Sequence, residues 1–293
     1  MAAVYGLAPP GYRLPDATRV GRVRLQVSHL DRSLDYYQGI IGLRLLGRAG
    51  VSAILGPQGE ETPLVELHER PGARRVPPHG RFGLYHFALL VPERSELGRF
   101  VAHLLDADVR VASADHLVSE ALYLWDPDGL GIEVYADRPR SEWRARGLEL
   151  AMATESLDLR ALLRAAHGGP WKGLPRGTVI GHIHLHVGSL ARAEALYHVG
   201  LGFDKTVWSF PGALFLGAGG YHHHLGTNTW VEGASQATGE DARLLEWELL
   251  VPGPEDVRAA AQSLVAAGYD VASNGRDLVV SDDWGTRLRL MAR

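Results

Sequence analysis

The sequence repeats itself at a separation of 160 residues. The segment VGRVRLQVSHLDRSLDYYQGIIGL, which begins at Val20, matches IGHIHLHVGSLARAEALYHVGLGF, which begins at Ile180. A second pair, which begins at Tyr85 and Leu245, has the same offset. A repeat of this kind is one supersecondary unit that buries its apolar face against its copies. We therefore infer four related modules arranged in two halves.

Each module shows the pattern of a strand, a helix and three further strands. Residues 22–27 and 182–187 alternate in polarity as half-buried strands do. Apolar residues recur at helical spacing in one segment of each module: 31–40, 93–106, 190–199 and 254–267. Shorter strand-like runs follow each helix, and the turn signal DPDG separates two of them. The pattern predicts an α+β chain of four βαβββ modules.

The repeat also predicts where the halves begin and end. An N-terminal domain of two modules would span 18–137, and a C-terminal domain of two modules would span 179–293. Residues 138–178 carry Arg, Gly and Pro and are less periodic, so they would form a connector with a short helix near 157–166.

Composition narrows the chemistry. The 293 residues include 14 histidines and no cysteine. This excludes disulfides, zinc–thiolate sites, iron–sulfur clusters and thiol nucleophiles, so a transition metal would have to be bound by histidine and carboxylate. The chain has 30 basic and 34 acidic residues, and this near balance provides no strong positive potential that would attract nucleic acid or anionic lipid. Because we find no long apolar run and no export signal, we expect no membrane contact and a cytoplasmic protein.

The ordered motifs resemble a known family. Paired modules that open with GHIHLHV and LYHVGLGF and close with DPDGLGIE are similar to the vicinal oxygen chelate superfamily of glyoxalases, bleomycin-resistance proteins and extradiol dioxygenases. The segments YHFALLVP, DHLVSEALYLWDPDGLGIEVYADRPRSEW and GGYHHHLGTNTW resemble its two-domain bacterial catechol 2,3-dioxygenase group. The likeness covers roughly residues 18–292. It implies that the modules pair into two cupped mixed sheets, with a metal ion in a cup.

In this superfamily the metal ligands lie on the first and last strands of the modules. The first-strand positions hold Arg22, His86, His182 and Glu246. The last-strand positions hold Glu66 or His68, Glu133, one of His222–His224, and Arg289. Arginine cannot ligate a cation. Modules one and four are therefore poor metal carriers.

Modules two and three supply His86, Glu133 and His182, which we predict as the metal ligands. Two imidazoles and one carboxylate leave open positions on non-haem iron(II). An unpaired Glu133 in an apolar cup would be costly, and a cation would remove that cost. We favour one site shared by modules two and three. The other pairing, one with two and three with four, would split this set between two cups and would group His182 with Glu246.

The resemblance implies further residues with catalytic roles. Extradiol dioxygenases carry a His-His pair in the corresponding module, and the acid/base member aligns with His223. A glyoxalase-like alignment anchored on Asn228 and Trp230 would instead make His224 a ligand. If these histidines lie on a strand, His222 and His224 face one side and His223 the other, so at most one alignment holds.

The dioxygenase pattern also contains a histidine and then a tyrosine, which precedes the ligand glutamate by ten residues. Tyr123 stands ten residues before Glu133, and His116 stands seven before Tyr123, a shorter gap than the pattern has. We predict that Tyr123 and His116 act on the substrate. His184 shares a strand face with His182 and is a further candidate.

The function implied is that of an Fe(II)-dependent extradiol dioxygenase that opens catechol-type aromatic diols with O₂. The alternatives are a glyoxalase-like lyase or isomerase with Mn²⁺, Ni²⁺ or Zn²⁺, and a metal-free small-molecule binder of the bleomycin-resistance type. A homo-oligomer is left open. The candidates for an aromatic pocket are Trp208, Phe210, Trp230 and Trp247.

Overall fold

The computed structural model describes residues 5–166, 169, 171–231 and 233–293. Residues 167, 168 and 170 of the predicted connector lie outside this part of the chain. The four βαβββ modules of the prediction are confirmed, and so is the α+β class. None of the helices in the described residues is long and apolar enough to cross a membrane.

The first two modules lie in the N-terminal half. The first contains β1 Arg19–Val27, α1 Leu30–Gly39, β2 Arg44–Ala49, β3 Ser52–Gly56 and β4 Val65–Glu69. The second contains β5 Gly83–Leu90, α2 Arg94–Asp106, β6 Ala112–Asp115, β7 Ser119–Trp125 and β8 Gly131–Asp137. A short two-stranded sheet, β9 Ala145–Arg146 and β10 Glu149–Leu150, follows, and the helix predicted near 157–166 is α3 Leu159–Ala165.

The last two modules repeat this order. The third contains β11 Val179–His186, α4 Leu190–Glu194 with a π-helical turn Ala195–Gly200, β12 Asp204–Val207, β13 Ala213–Gly217 and β14 Leu225–Asn228. The fourth contains β15 Arg243–Val251, α5 Pro254–Ala266, β16 Ala272–Ser273, β17 Asp277–Ser281 and β18 Arg287–Ala292. The repeat extends to the helix starts, because His29 caps α1 and Ser189, 160 residues later, caps α4.

The modules pair across the two halves. Sheet I has the strand order β16-β17-β18-β15-β1-β4-β3-β2, and sheet II has the order β12-β13-β14-β11-β5-β8-β7-β6. Modules one and four therefore share sheet I, and modules two and three share sheet II. The antiparallel pairs β1–β15 and β5–β11 join the halves at the centre of each sheet. Each sheet contains strands from both predicted domains, whose boundaries remain a prediction from the repeat.

Strand alternation separates the core of sheet II from its concave face. Ile132 and Val134 on β8 are fully buried in the main hydrophobic core. Glu133 lies between them and points to the opposite face, where Ala88, Ala121 and Tyr135 form a small separate cluster. The concave face of sheet II therefore carries the ionisable side chains.

Within each half, a tyrosine on one module bonds to an aspartate in a turn of the next. The Tyr37 hydroxyl donates to Asp126 Oδ2 at 3.3 Å, and the Tyr197 hydroxyl donates to Asp282 Oδ2 at 3.0 Å. Both tyrosines are fully buried. Asp126 and Asp282 also accept backbone N–H bonds inside their own turns. These bonds join modules that the two large sheets keep apart.

We expect this arrangement to make stability depend on pH. Burial raises the pKa of Asp126 from 3.8 to about 7. A carboxyl group with a higher pKa in the folded chain contributes stability below its unfolded pKa, and this is lost as pH rises through the folded value. Between pH 5 and pH 8, Asp126→Asn should therefore lose less unfolding free energy than the parent in urea titrations. The exposed Asp35→Asn should match the parent, and a parent-like slope for Asp126→Asn would contradict the assignment.

Candidate metal centre

Three adjacent strands of sheet II bring the predicted ligands together. Ala88 on β5 pairs in register with Glu133 on β8 and with His182 on β11. His86 lies two residues before Ala88 and so emerges on the same face. The small Ala88 side chain stands between the flanking carboxylate and imidazole and leaves the space above it open.

The three donor atoms form a compact triangle. Nε2 of His86 lies 3.0 Å from Glu133 Oε2, Nε2 of His182 lies 3.2 Å from the same oxygen, and the two nitrogens are 3.4 Å apart. Ligands at about 2.1 Å from one ion are about 3.0 Å apart at right angles and about 3.4 Å apart at the tetrahedral angle. The triangle thus has the size that one transition-metal ion requires. Within the described residues, His86, Glu133 and His182 form a cluster whose ligand atoms lie close enough together to hold one ion.

Burial and charge also suit a cation. The three residues are at most 4% exposed. Burial raises the pKa of Glu133, but the charge and the hydrogen bonds of His182 and His86 outweigh it, and this pKa lies well below its ordinary value. Burial lowers the pKa values of His86 and His182. All three shifts favour the deprotonated forms of these groups, which are the forms that bind a metal ion.

Tyr123 and His116 form a hydrogen-bonded pair beside this triangle. The ring nitrogens of His116 lie 2.7 Å from the Ala153 carbonyl oxygen and 2.6 Å from the Tyr123 hydroxyl. Because the carbonyl can only accept, Nδ1 carries a proton, and Nε2 shares a hydrogen bond with the Tyr123 hydroxyl, which also interacts with Glu133. Burial raises the pKa of Tyr123 well above its ordinary value, so the phenol stays protonated. Tyr123 also stands directly opposite Glu133 in the sheet.

His223 lies on the other side of the triangle. Its ring is 4.1 Å from the ring of His182, centroid to centroid. Its Nδ1 lies 2.7 Å from Nδ1 of His222, and Nε2 of His222 lies 2.9 Å from Asp137 Oδ1. Burial, followed by nearby imidazoles, lowers the pKa of His223 well below its ordinary value. The neutral ring is held at the end of a chain of hydrogen bonds.

The remaining candidate histidines are bonded to groups outside the triangle. His184 Nε2 accepts from the Asn228 amide at 3.0 Å, and the same amide bonds to His186. His184 therefore forms part of the wall of the site. His222 makes the contacts described above, whereas His224 Nδ1 accepts from the Ala218 N–H at 3.2 Å and its ring packs on Phe203 and Tyr221.

These three consecutive histidines do not lie on a strand. They form an irregular segment that ends at Leu225, where β14 begins, and it follows Gly219 and Gly220, both with positive φ. The positive φ angles turn the chain before it joins the sheet. The strict alternation expected for this segment is wrong, although His223 and His224 still line different cavities.

A cavity of about 420 Å³ opens from the triangle. His86, Glu133, His182, Tyr123, His116 and His223 all line it. Of the four predicted pocket aromatics, Phe210 and Trp230 line this cavity. Trp247 is fully buried in the core, and Trp208 is partly exposed beside Lys205. The cavity thus joins a polar closed end to an aromatic wall.

Comparison with known proteins places this geometry in a family. The family described as "Glyoxalase/Bleomycin resistance protein/Dioxygenase superfamily" matches residues 19–134 of this chain. A catechol-2,3-dioxygenase of Bacillus subtilis (strain 168) is 41% identical over 269 residues, which are 90% of this chain and 94% of that protein. The chain belongs to this superfamily. The similarity to the Bacillus protein supports a dioxygenase enzyme.

Solved structures with a similar fold agree with this assignment of the fold. A putative dioxygenase from Bacillus subtilis subsp. subtilis str. 168 has a TM-score of 0.66 at 14% identity, over 96% of this chain and 86% of that one. Glyoxalase I from Zea mays has a TM-score of 0.55 at 16% identity, over 94% and 92% of the two chains. At these identities the likeness concerns the fold.

Glu246, the remaining predicted candidate, lies on β15 in sheet I of this chain. Arg24 on β1 pairs in register with Glu66 on β4 and with Glu246 on β15, as Ala88 pairs with Glu133 and His182. Sheet I therefore has an arginine where sheet II has an alanine.

Ion pairs fill the concave face of sheet I. Arg24 lies 3.2 Å from Glu66, and Arg289 Nε donates to Glu246 at 2.9 Å. Arg22 bonds to Glu66 and to Glu248, both at 2.8 Å. Glu246 is neutralised by side chains of its own sheet and does not reach the candidate metal centre.

Sequence reasoning did not single out Ala88 or Asp137, and it used Asn228 only as the anchor of an alignment. Asp137 follows Glu133 and Tyr135 at the strand period, so the segment GIEVYAD already placed a second carboxylate on the same face. The other two become visible only when the register of sheet II is known.

We expect metal content to separate the triangle from its neighbours. His86→Ala removes one of three donors and should abolish stoichiometric metal binding, as measured by inductively coupled plasma mass spectrometry on folded protein. His184→Phe serves as the control, because the side chain is equally buried in the same cup but its Nε2 is already bonded to Asn228. This variant should keep its metal. Full metal occupancy in His86→Ala, with a native circular dichroism spectrum, would refute the site.

Proposed function

We propose that the chain is an Fe(II)-dependent extradiol dioxygenase that opens catechol-type rings beside the diol, with both atoms of O₂ entering the product. The observation that carries the proposal is the buried His86–Glu133–His182 triangle at the closed end of a cavity that also contains His223 and Tyr123. Two imidazoles and one carboxylate on one side of an ion form the facial set of non-haem iron(II) oxygenases. The similarity to the Bacillus catechol-2,3-dioxygenase supports the same reaction.

His86, Glu133 and His182 would hold the ion and leave its cavity side free. Iron(II) in that position supplies an electron for the activation of O₂ and lowers the pKa of a coordinated hydroxyl group. The chain's own residues must then orient the diol and move its protons. Phe210, Phe215 and Trp230 provide an apolar wall against which an aromatic ring can pack.

His223 is positioned to act as the proton acceptor. Asp137 lies within hydrogen-bond distance of Nε2 of His222, and in the proposed mechanism Nδ1 of His222 accepts from Nδ1–H of His223. Nε2 of His223 then keeps a free lone pair in a ring that lines the cavity. This nitrogen can take a proton from the diol and return it when the O–O bond breaks.

Tyr123 and His116 would fix the second oxygen of the diol. The Tyr123 phenol is hydrogen-bonded to His116 and also interacts with Glu133, so its oxygen is held beside the candidate metal ligands. A substrate hydroxyl can donate to it. Because His116 is tied to the Ala153 carbonyl, the tyrosine is held in one orientation.

The two alternatives are less well supported. A glyoxalase-like centre would take His224 as a fourth ligand, but the ring of His224 lines a different cavity, and Glu246 is paired with Arg289 in sheet I. A metal-free binder would leave the ionised Glu133 buried with no cation, which is costly. Cytoplasmic location and a homo-oligomer remain predictions from the sequence.

The reaction can be tested directly. Protein loaded anaerobically with Fe(II) should consume one O₂ per catechol and form the yellow ring-fission product, with both atoms of ¹⁸O₂ recovered in it by mass spectrometry. Protein loaded with Zn²⁺ should be inactive because zinc supplies no electron. Fully iron-loaded protein that neither consumes O₂ nor forms the product with catechol or substituted catechols would overturn the proposal.

The role assigned to His223 has a sharper test. His223→Phe removes the proton acceptor and should lower kcat by about 10²- to 10⁴-fold while iron content and KM change little. His103→Phe is a matched control, since His103 stacks on Trp171 far from the cavity lining and should keep parent kcat. An unchanged kcat in His223→Phe would remove this residue from the mechanism.

A further inference from the structure

A second large cavity lies between sheets I and II and shares no lining residue with the metal cavity. Its volume is about 780 Å³, within the range of small-molecule sites. We call it the inter-sheet cleft, and define it by the segments 18–22 and 179–181 with Leu90, Tyr221, His224 and Leu250. The two segments are equivalents in the repeat, so the cleft follows the boundary between the two halves.

The floor of the inter-sheet cleft is apolar. Val20, Leu64, Leu90, Ile180 and Leu250 line it, and all come from the strands of the two sheets or from the segments next to them. Gly21 and Gly181 belong to this lining, and each lies at a register shift in its strand. This surface suits a hydrocarbon chain.

Cationic groups without carboxylate partners stand at the rim. Within the part of the chain that the structure describes, the Arg19 side chain makes no hydrogen bond or ion pair. Arg140 donates to the Gly219 carbonyl at 3.2 Å and packs over Trp143 and Tyr221. Two guanidinium groups are therefore available to an anion.

The carboxylates that line the cleft are already engaged. Glu248 is bonded to Arg22 at 2.8 Å, and Asp16 interacts electrostatically with Arg13. Neither neutralises Arg19 or Arg140 by direct contact. The rim therefore remains a place where a negative charge is favoured.

His224 adds a ring N–H donor to the lining of the cleft. Its side chain is only 7% exposed, and Nδ1 accepts from the Ala218 N–H. Burial, followed by neighbouring charges that include Arg140 and Arg19, lowers its pKa to about 3, so the ring is neutral. The ring proton must then be on Nε2, which has no acceptor in the described part of the chain. An N–H donor on the cleft wall, close enough to Arg140 and Arg19 for their charges to lower the pKa of the ring, suits an acidic oxygen.

We propose that the inter-sheet cleft is a second ligand site, which binds an aliphatic carboxylate with its chain on the apolar floor and its carboxylate among His224, Arg19 and Arg140. An inorganic anion would leave the floor uncovered, and a neutral apolar molecule would leave the three donors unmet. The site does not depend on the proposed dioxygenase reaction. Ligand titration measures binding to it without any enzyme turnover.

Isothermal titration calorimetry with octanoate and octan-1-ol tests this site. Octanoate should bind with 1:1 stoichiometry and about tenfold more tightly than octan-1-ol, because hydrogen bonds to charged groups are the stronger kind. Arg19→Gln should weaken octanoate about threefold and leave octan-1-ol unchanged, whereas the exposed Arg258→Gln should change neither. His224→Phe should also reduce the preference for octanoate.

A variant in which a large side chain fills the cleft provides a second test of the proposal. Val179→Trp places an indole at the mouth and should abolish octanoate binding. Val199→Trp is its matched control, because Val199 is equally exposed, at 39% against 38%, and lies outside the lining. Equal binding of octanoate and octan-1-ol, no binding of octanoate, or parent-like binding by Val179→Trp would each overturn the proposal. A dimer that Val179→Trp dissociates would overturn it too, since a second copy would then cover the cleft.

Discussion

The buried carboxylate of Glu133 is the constraint on which the rest of this structure depends. An ionised group that is buried costs several kcal/mol unless an opposite charge lies close to it. The imidazoles of His86 and His182 lie next to Glu133, and burial lowers their pKa values and so opposes the positive charge that would offset the carboxylate. A bound cation meets this requirement, and the spacing of the three donors matches one ion.

The two sheets solve the same problem in different ways. In sheet I, Arg24 lies between Glu66 and Glu246, and Arg289 completes the neutralisation. In sheet II the equivalent of Arg24 is Ala88, which brings no charge and little volume. One repeated scaffold thus has one cup closed by ion pairs and one cup left open, where we propose that a metal ion and a substrate bind.

The repeat made much of this predictable. The 160-residue offset predicted four modules, and comparison of equivalent strand positions selected His86, Glu133 and His182 before any contact was known. The pairing of modules two with three was favoured because arginine occupies the equivalent positions in the other modules. The structure brings these three side chains together, and their role as ligands stays a prediction.

Other parts of the site depend on contacts that no sequence pattern fixes. The Asp137–His222–His223 chain joins residues 85 apart through an irregular segment, and strand periodicity does not describe that segment. Asn228 removes His184 from the candidate ligands through a single amide contact. The inter-sheet cleft arises from the packing of two sheets, which a pattern within one module cannot show.

The central claim is that one metal ion neutralises Glu133, and anomalous diffraction at the iron absorption edge tests it most directly. Crystals of protein purified anaerobically with Fe(II) should show one anomalous peak at about 2.0–2.3 Å from Nε2 of His86, Nε2 of His182 and a carboxylate oxygen of Glu133. A peak bound by other side chains, or no peak beside an intact triangle at full iron loading, would contradict the account.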